Sequence, residues 1–140
     1  MTEYSSRDDF AVGEKARLSR TVTEDDIRHM AEITGDFNPV HMDEGFASRT
    51  RFKGRIAHGL FSVGLISAVL GTKLPGPGAV FLKQTLEFLY PVRAEDMLTA
   101  EVEVTAWRAD KRIITLKTHC FNQDGKDIVH GEAVLLVDKL

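Results

Sequence analysis

A single cysteine, Cys120, stands among 140 residues, so no internal disulfide can form, and the chain suits a reducing cytoplasm. An excess of basic charge is also lacking. The formal net charge is −3 and the pI is near 5.9, which argues against a nucleic-acid surface. No apolar run is long enough for a bilayer: the longest, Leu60 to Leu70, is short and carries serines, so no membrane partner is expected. The opening "MTEYSSRDDF" has acidic residues and no apolar stretch, which predicts no signal peptide. Repeats, low-complexity tracts and linkers are absent. What remains is one soluble, cytoplasmic domain over residues 1–140, with a hydrophobic share of 43% and a charged share of 28%, both ordinary for a globular protein.

What the chain does contain falls into two parts. "VGEKARLSRTV" reads as a first strand or extended arm. Thr23 then has the features of an N-cap, with Asp26 in the capping-box position and Gly35 as the C-terminal stop; Ile27, Met30 and Ala31 recur at helical spacing between them. Asp43 is placed to cap a short helical turn through Phe46 and Ala47. "HGLFSVGLISAVLG" is apolar on every side except Ser62 and Ser67, which predicts a central helix closing at Gly71, with Gly64 and Ala68 giving a sheet close access to its backbone. "LPGPG" ends it.

From Ala79 the hydrophobic period is two. Val80, Leu82, Gln84, Leu86 and Phe88 are assigned to one face of a strand, opposite Lys83, Thr85 and Glu87. "LTAEVEVTAW" and "IITLKTHCF" alternate again, and "DGK" marks a hairpin turn before "IVHGEAVLLV". Four strands following one buried helix predict an α+β fold, a curved antiparallel sheet wrapped around that helix.

The stretch "TGDFNPVHMDEGFA", residues 34–47, sets Asp36 and His41 five positions apart with Asn38-Pro39 between them. On a continuous helix they would stand roughly 140° apart. Proline excludes that helix, because it drives Asn38 out of helical dihedrals, so the stretch is expected to be a shaped loop. Two readings remain open on spacing alone. The pair is either a general acid and base aimed at one water, or an Asx-turn at Asp36 beside a satisfied surface histidine.

His58-Gly59 is the second candidate. If the buried helix starts there, the Gly59 N–H lacks an intrahelical partner and can bind a carbonyl oxygen that gains negative charge; the alternative is a glycine kept for close packing. Ser67 is either a helix hydroxyl bonded back to a carbonyl or a polar group reaching the site. "RTRFKGR" carries Arg49, Arg51, Lys53 and Arg55, either a solvated charge run or a contact for a phosphate-bearing ligand. His29, His119 and His130 lack metal-ligand spacing, and His41 with Asp36 or Asp43 has no evident third ligand, so no metal is expected. "GPG" lacks the helix and lysine of a phosphate loop, no serine sits in a nucleophile elbow, and Cys120 shares a core stripe with Ile114, Leu116 and Thr118.

"GDFNPVHMDEGFA", "RIAHGLFSVGLIS", "LPGPG" and "QTLEFLYPV" together resemble the MaoC-like, (R)-specific enoyl-CoA hydratases of the hot-dog fold, in particular the short bacterial forms that supply (R)-3-hydroxyacyl-CoA for polyhydroxyalkanoate synthesis. The resemblance runs from about Thr21 to near the C-terminus. It implies Asp36 and His41 as the catalytic pair, Gly59 N–H as the contact to the thioester carbonyl, Ser67 as the helix serine and Asn38 as the loop-shaping asparagine. It further implies syn addition of water to trans-2-enoyl-CoA, CoA-phosphate contacts along residues 49–55, no cofactor beyond the CoA thioester substrate, and a homodimer joined at sheet edges with acyl tunnels near the interface. Ser62, Leu65 and Phe88 are candidate tunnel residues. One departure stands out: after "YPV" the family often has Gly-Asp, where this chain has Ala94-Glu95-Asp96, read as a turn. Related chemistries to be separated are a 3-hydroxyacyl-carrier-protein dehydratase, a hot-dog thioesterase and a non-catalytic acyl-CoA-binding module.

Overall fold

A computed structural model describes residues 4–140. The elements run β1 (Lys15–Thr21), α1 (Glu24–Thr34), α2 (Pro39–Met42), α3 (Glu44–Ala47), α4 (Gly59–Thr72), β2 (Ala79–Phe88), β3 (Met97–Arg108), β4 (Ile113–Phe121) and β5 (Asp127–Val137). The strands form one sheet in the order β1-β3-β4-β5-β2, every neighbouring pair antiparallel. The α+β architecture expected from the sequence is present.

Alternation sorts the sheet into two faces. Leu18, Ala100, Cys120, Val129 and Phe88 are successive cross-strand partners in one row of the face that meets α4. Ile114, Leu116, Thr118 and Cys120 are all fully buried there, and burial pushes the Cys120 thiol up to about 12, where it stays protonated. The opposite face is charged. Its matching row reads Arg17, Glu101, His119, His130 and Glu87 across all five strands. The close approach of β2 to β5 requires glycine at 131, because a Cβ there would overlap the Thr85 carbonyl oxygen.

The helix caps follow the sequence. Thr23 and Asp26 form a reciprocal capping box on α1, and Gly35 takes the left-handed conformation at φ 80°. Asp43 caps α3 by accepting the Phe46 N–H.

Three expectations are corrected. The helix α4 runs one residue past Gly71 to Thr72, with Lys73 at its C-cap. It buries only one stripe, Ser62, Leu65, Ile66, Val69 and Leu70, against the sheet, while Leu60 and Gly64 face outward. Gly64 is therefore not a point of sheet approach, since a Cβ there would meet nothing within 4 Å. The sheet of one chain covers one side of the helix. Leu70 and Ile66 are each fully buried, a contribution of about 1.5–3 kcal/mol apiece. On β2 the register slips between Phe81 and Lys83, leaving Leu82 as a bulged residue. Gln84, Leu86 and Phe88 keep the α4 side as expected, but Val80 pairs with Leu136 on the other side, and Val80 and Leu82 are both exposed.

Candidate active site

The site grows from the end of α1. Past Gly35 the chain makes two side-chain turns in succession. Asp36 Oδ1 accepts the Asn38 N–H at 3.2 Å, and Asn38 Oδ1 accepts the Val40 N–H at 3.1 Å. Asn38 has extended dihedrals (φ −52°, ψ 124°), as a residue before proline should. The loop ends there. Pro39 opens the single helical turn α2, because its fixed φ suits the first helical position and its missing N–H would have had no partner there. Asp36 thus sits in a loop and His41 on a helical turn, which brings them face to face.

Asp36 forms the Asx turn and also faces His41. One carboxylate oxygen fastens the turn, and the other, Oδ2, stands 4.0 Å from His41 Nε2. The surface reading of His41 fails, for the residue is only 8% exposed. His41 Nδ1–H donates to the Ile56 carbonyl at 2.8 Å, so Nε2 presents a lone pair toward Asp36. Burial lowers the His41 pKa below its ordinary value. The Ile56 hydrogen bond opposes that, the neighbouring His58 ring adds to it, and the Asp36 carboxylate opposes it weakly. A neutral, correctly oriented imidazole beside an exposed carboxylate is equipped for general base and acid work.

His58 is the N-cap residue of α4, and Gly59 is the first helical residue, so the Gly59 N–H has no partner within the helix. Gly59 and His41 line the same cleft, about 600 Å³ in volume, together with Arg51, Phe88, Tyr90 and Ile128. An added Cβ at Gly59 would come within 3.0 Å of the Phe88 ring. Ser67 is half-buried further along α4 and is not part of the cleft lining; Ser62 is the serine bonded back, its hydroxyl donating to the Gly59 carbonyl at 2.7 Å.

The basic run divides. Arg51 lines the cleft. Arg49 lies over the Phe46 ring and Lys53 takes positive φ at 59°. Arg55 is committed internally: it donates to Glu24 at 2.8 Å, to Glu44 at 3.3 Å and to the His41 carbonyl at 3.3 Å.

Two residues make contacts here that no sequence pattern shows. Arg93 donates to the Phe52 and Arg55 carbonyls, tying the basic segment to the chain before β3, and nothing in "YPVRAED" signals that role. By sequence, His58 is only the neighbour of Gly59. The structure makes it a third imidazole-or-carboxylate group at the dyad: single ligand atoms of Asp36, His41 and His58 lie within 4.8 Å of one another. Spacing along the chain offers no third ligand because His58 arrives from another element.

The departure at residues 94–96 has a local account. Glu95 takes φ 73°, the left-handed region that favours glycine, while Asp96 Oδ2 accepts the Arg93 N–H.

A five-stranded antiparallel sheet with one helix packed against it is the hot-dog fold, which the solved structures similar to this chain share. The chain belongs to the MaoC-like family, whose MaoC like domain matches residues 9–124. It is 46% identical over 130 residues to an (R)-specific enoyl-CoA hydratase of Rhodospirillum rubrum, covering 93% of this chain and 90% of that protein. It is 47% identical over 132 residues to a 3-hydroxybutyryl-CoA dehydratase of Methylorubrum extorquens, covering 94% and 83%. Among solved structures, the (R)-hydratase of Aeromonas caviae involved in polyhydroxyalkanoate biosynthesis superimposes with a TM-score of 0.88 at 46% identity, covering 92% of this chain and 98% of that one.

Proposed function

We propose that the chain is an (R)-specific enoyl-CoA hydratase, a hydro-lyase that adds water reversibly to trans-2-enoyl-CoA and gives (R)-3-hydroxyacyl-CoA. The observation that carries the reading is the carboxylate of Asp36 facing His41, whose ring lines one cleft with the free Gly59 N–H. The thioester carbonyl oxygen accepts from Gly59 N–H. Asp36 and His41 Nε2 hold one water between them, and as its oxygen bonds to C3 its proton passes to the pair. The C2–C3 π electrons move toward the carbonyl, and the Gly59 contact strengthens as enolate charge develops there. A proton from the same pair then reaches C2 on the face that received oxygen, which makes the addition syn. No cofactor takes part in these steps; the CoA thioester is the substrate.

The exposed cations Arg49, Arg51 and Lys53 suit the CoA phosphates, with Arg51 nearest by virtue of lining the cleft. Arg55 holds the loop instead. The outward side of α4 at Leu60 and the exposed apolar residues Phe81, Leu82, Phe88 and Leu89 at the end of the sheet support a homodimer, in which the edge strand β2 meets a second copy. No helix among the described residues is long and apolar enough to cross a membrane, and the lone buried cysteine suits a cytoplasmic site.

The test is loss of enoyl absorbance when purified protein is added to crotonyl-CoA, run beside crotonyl groups on acyl carrier protein. Loss on the CoA substrate with (R)-3-hydroxybutyryl-CoA as product supports the reading. Turnover on the carrier protein alone would make the protein a carrier-protein dehydratase, and release of free thiol a thioesterase.

A further inference from the structure

His58 touches both members of the pair. Its Nε2 lies 2.9 Å from the backbone oxygen of Asp36, and its ring centroid lies 4.0 Å from that of His41, with the two planes tilted by 32°. The residue is 4% exposed. The partner decides the tautomer. A carbonyl oxygen can only accept, so Nε2 carries the proton and Nδ1 the lone pair. The opposite tautomer would aim a lone pair at the Asp36 oxygen and leave an N–H buried at Nδ1, an atom with no hydrogen-bond partner among the described residues.

We propose that His58 is a positioning residue: its Nε2–H holds the Asp36 main chain while its flat ring buttresses His41, so that the distance between carboxylate and imidazole is set by a third side chain. This rests on the hydratase reading of the site. Asp36 needs such an anchor. Its side chain is half exposed and its loop is held otherwise by the short Asx and Thr34 turns. His41 needs a flat neighbour, because its ring is otherwise held by the one hydrogen bond from Nδ1 to the Ile56 carbonyl, while its contacts to Asn38 and Arg55 hold only its backbone. One residue type supplies a neutral N–H donor and a flat ring together. Phenylalanine would supply the ring alone and glutamine the donor alone.

His58 also fixes where this geometry sits relative to the substrate carbonyl. As N-cap residue it immediately precedes Gly59, so the carbonyl-binding N–H and the anchor of Asp36 share one peptide unit. A shift of the Asp36 loop relative to α4 would then separate the water from C3.

The first arm of the test needs no substrate. Long-range ¹H–¹⁵N spectra of the imidazoles should show His41 protonated on Nδ1 and His58 on Nε2; His58 protonated on Nδ1 overturns the proposal. The second arm is kinetic. His58→Phe should lower kcat by roughly 100-fold, the cost of misplacing a reacting group by about 1 Å, with KM within about threefold of wild type. His58→Gln, which restores a donor at similar reach, should recover to within about tenfold of wild type. Because phenylalanine keeps the ring beside His41 and loses only the donor to Asp36, Asp36→Asn/His58→Phe should be no slower than Asp36→Asn. Wild-type kcat in His58→Phe, or equal losses in the Phe and Gln variants, overturns the proposal. If His58→Phe does not fold, His58→Gln against the shorter His58→Asn tests the donor by reach: Asn should be the slower, and equal rates overturn the proposal. A wild-type protein inert toward every enoyl-CoA refutes the hydratase reading and leaves the spectra to decide the positioning role.

Discussion

His41 Nε2 and Asp36 Oδ2 are separated by 4.0 Å, too far for a direct hydrogen bond and the span that one water oxygen bridges with two bonds of about 2.8 Å meeting near a right angle. The pair is thus spaced for a shared water more than for an ion pair. The Ile56 carbonyl enforces this by occupying the other ring nitrogen.

Each group is therefore needed singly. Asp36→Asn and His41→Gln should each lower kcat by about 10³-fold or more, within the range that positioned acid–base groups contribute. Asparagine keeps an Oδ1 for the Asn38 turn, so the thermal midpoint of Asp36→Asn should stay within a few degrees. Turnover near wild type in either variant would remove that residue from the chemistry.

The pH dependence has a definite sign. Burial, the dominant influence, places the His41 pKa below its ordinary value of 6.5. The imidazole must be neutral to act as base, so the acid limb of kcat/KM should fall below that value. Stability moves the same way. Below pH 6.5 the unfolded chain takes up this proton more readily than the folded one, so His41 destabilises the fold as pH falls from there toward its lowered pKa. An imidazole titration by NMR that places the His41 midpoint above 6.5 would contradict both statements.

The basic segment should split by position. Arg51→Ala should raise KM for the CoA substrate about threefold with kcat retained, since a single exposed cation contributes under about 1 kcal/mol. Arg55→Ala should act on stability instead, by about 1 kcal/mol, because it breaks contacts to Glu24, Glu44 and the His41 carbonyl. The measurement is a KM series beside thermal denaturation of both variants; the reverse pattern would refute the assignment.

Glu95 offers a stability test away from the site. At φ 73° a glutamate carries a steric cost that glycine avoids, so Glu95→Gly should raise stability by up to about 1 kcal/mol with activity unchanged. Denaturant unfolding at constant m-value reads the difference. A loss of stability would show that the Glu95 side chain has a partner in solution.

How much of this is legible in the sequence depends on the range of the interaction. Caps and periods are local, so the Thr23–Asp26 box, the Gly35 stop, the start of α4 at Gly59 and the β3–β5 alternation can be read from neighbours in the chain. Proline at 39 does exclude a continuous helix, but it also starts α2, and its local rule allows both. The bulge at Leu82 depends on how β2 meets β5, which no local pattern encodes. His58 and Arg93 act through backbone oxygens on distant segments, and a backbone acceptor leaves no mark in the sequence. The all-round apolarity of α4 is legible, but its meaning is not: one chain covers only one side.

The most direct test of the account is hydration of crotonyl-CoA in D₂O, with NMR analysis of the relative configuration at C2 and C3. The facing pair Asp36 and His41 works on one water from one side of the substrate, so the account predicts deuterium and hydroxyl on the same face and the R configuration at C3. Addition to opposite faces, or an S alcohol, would contradict it.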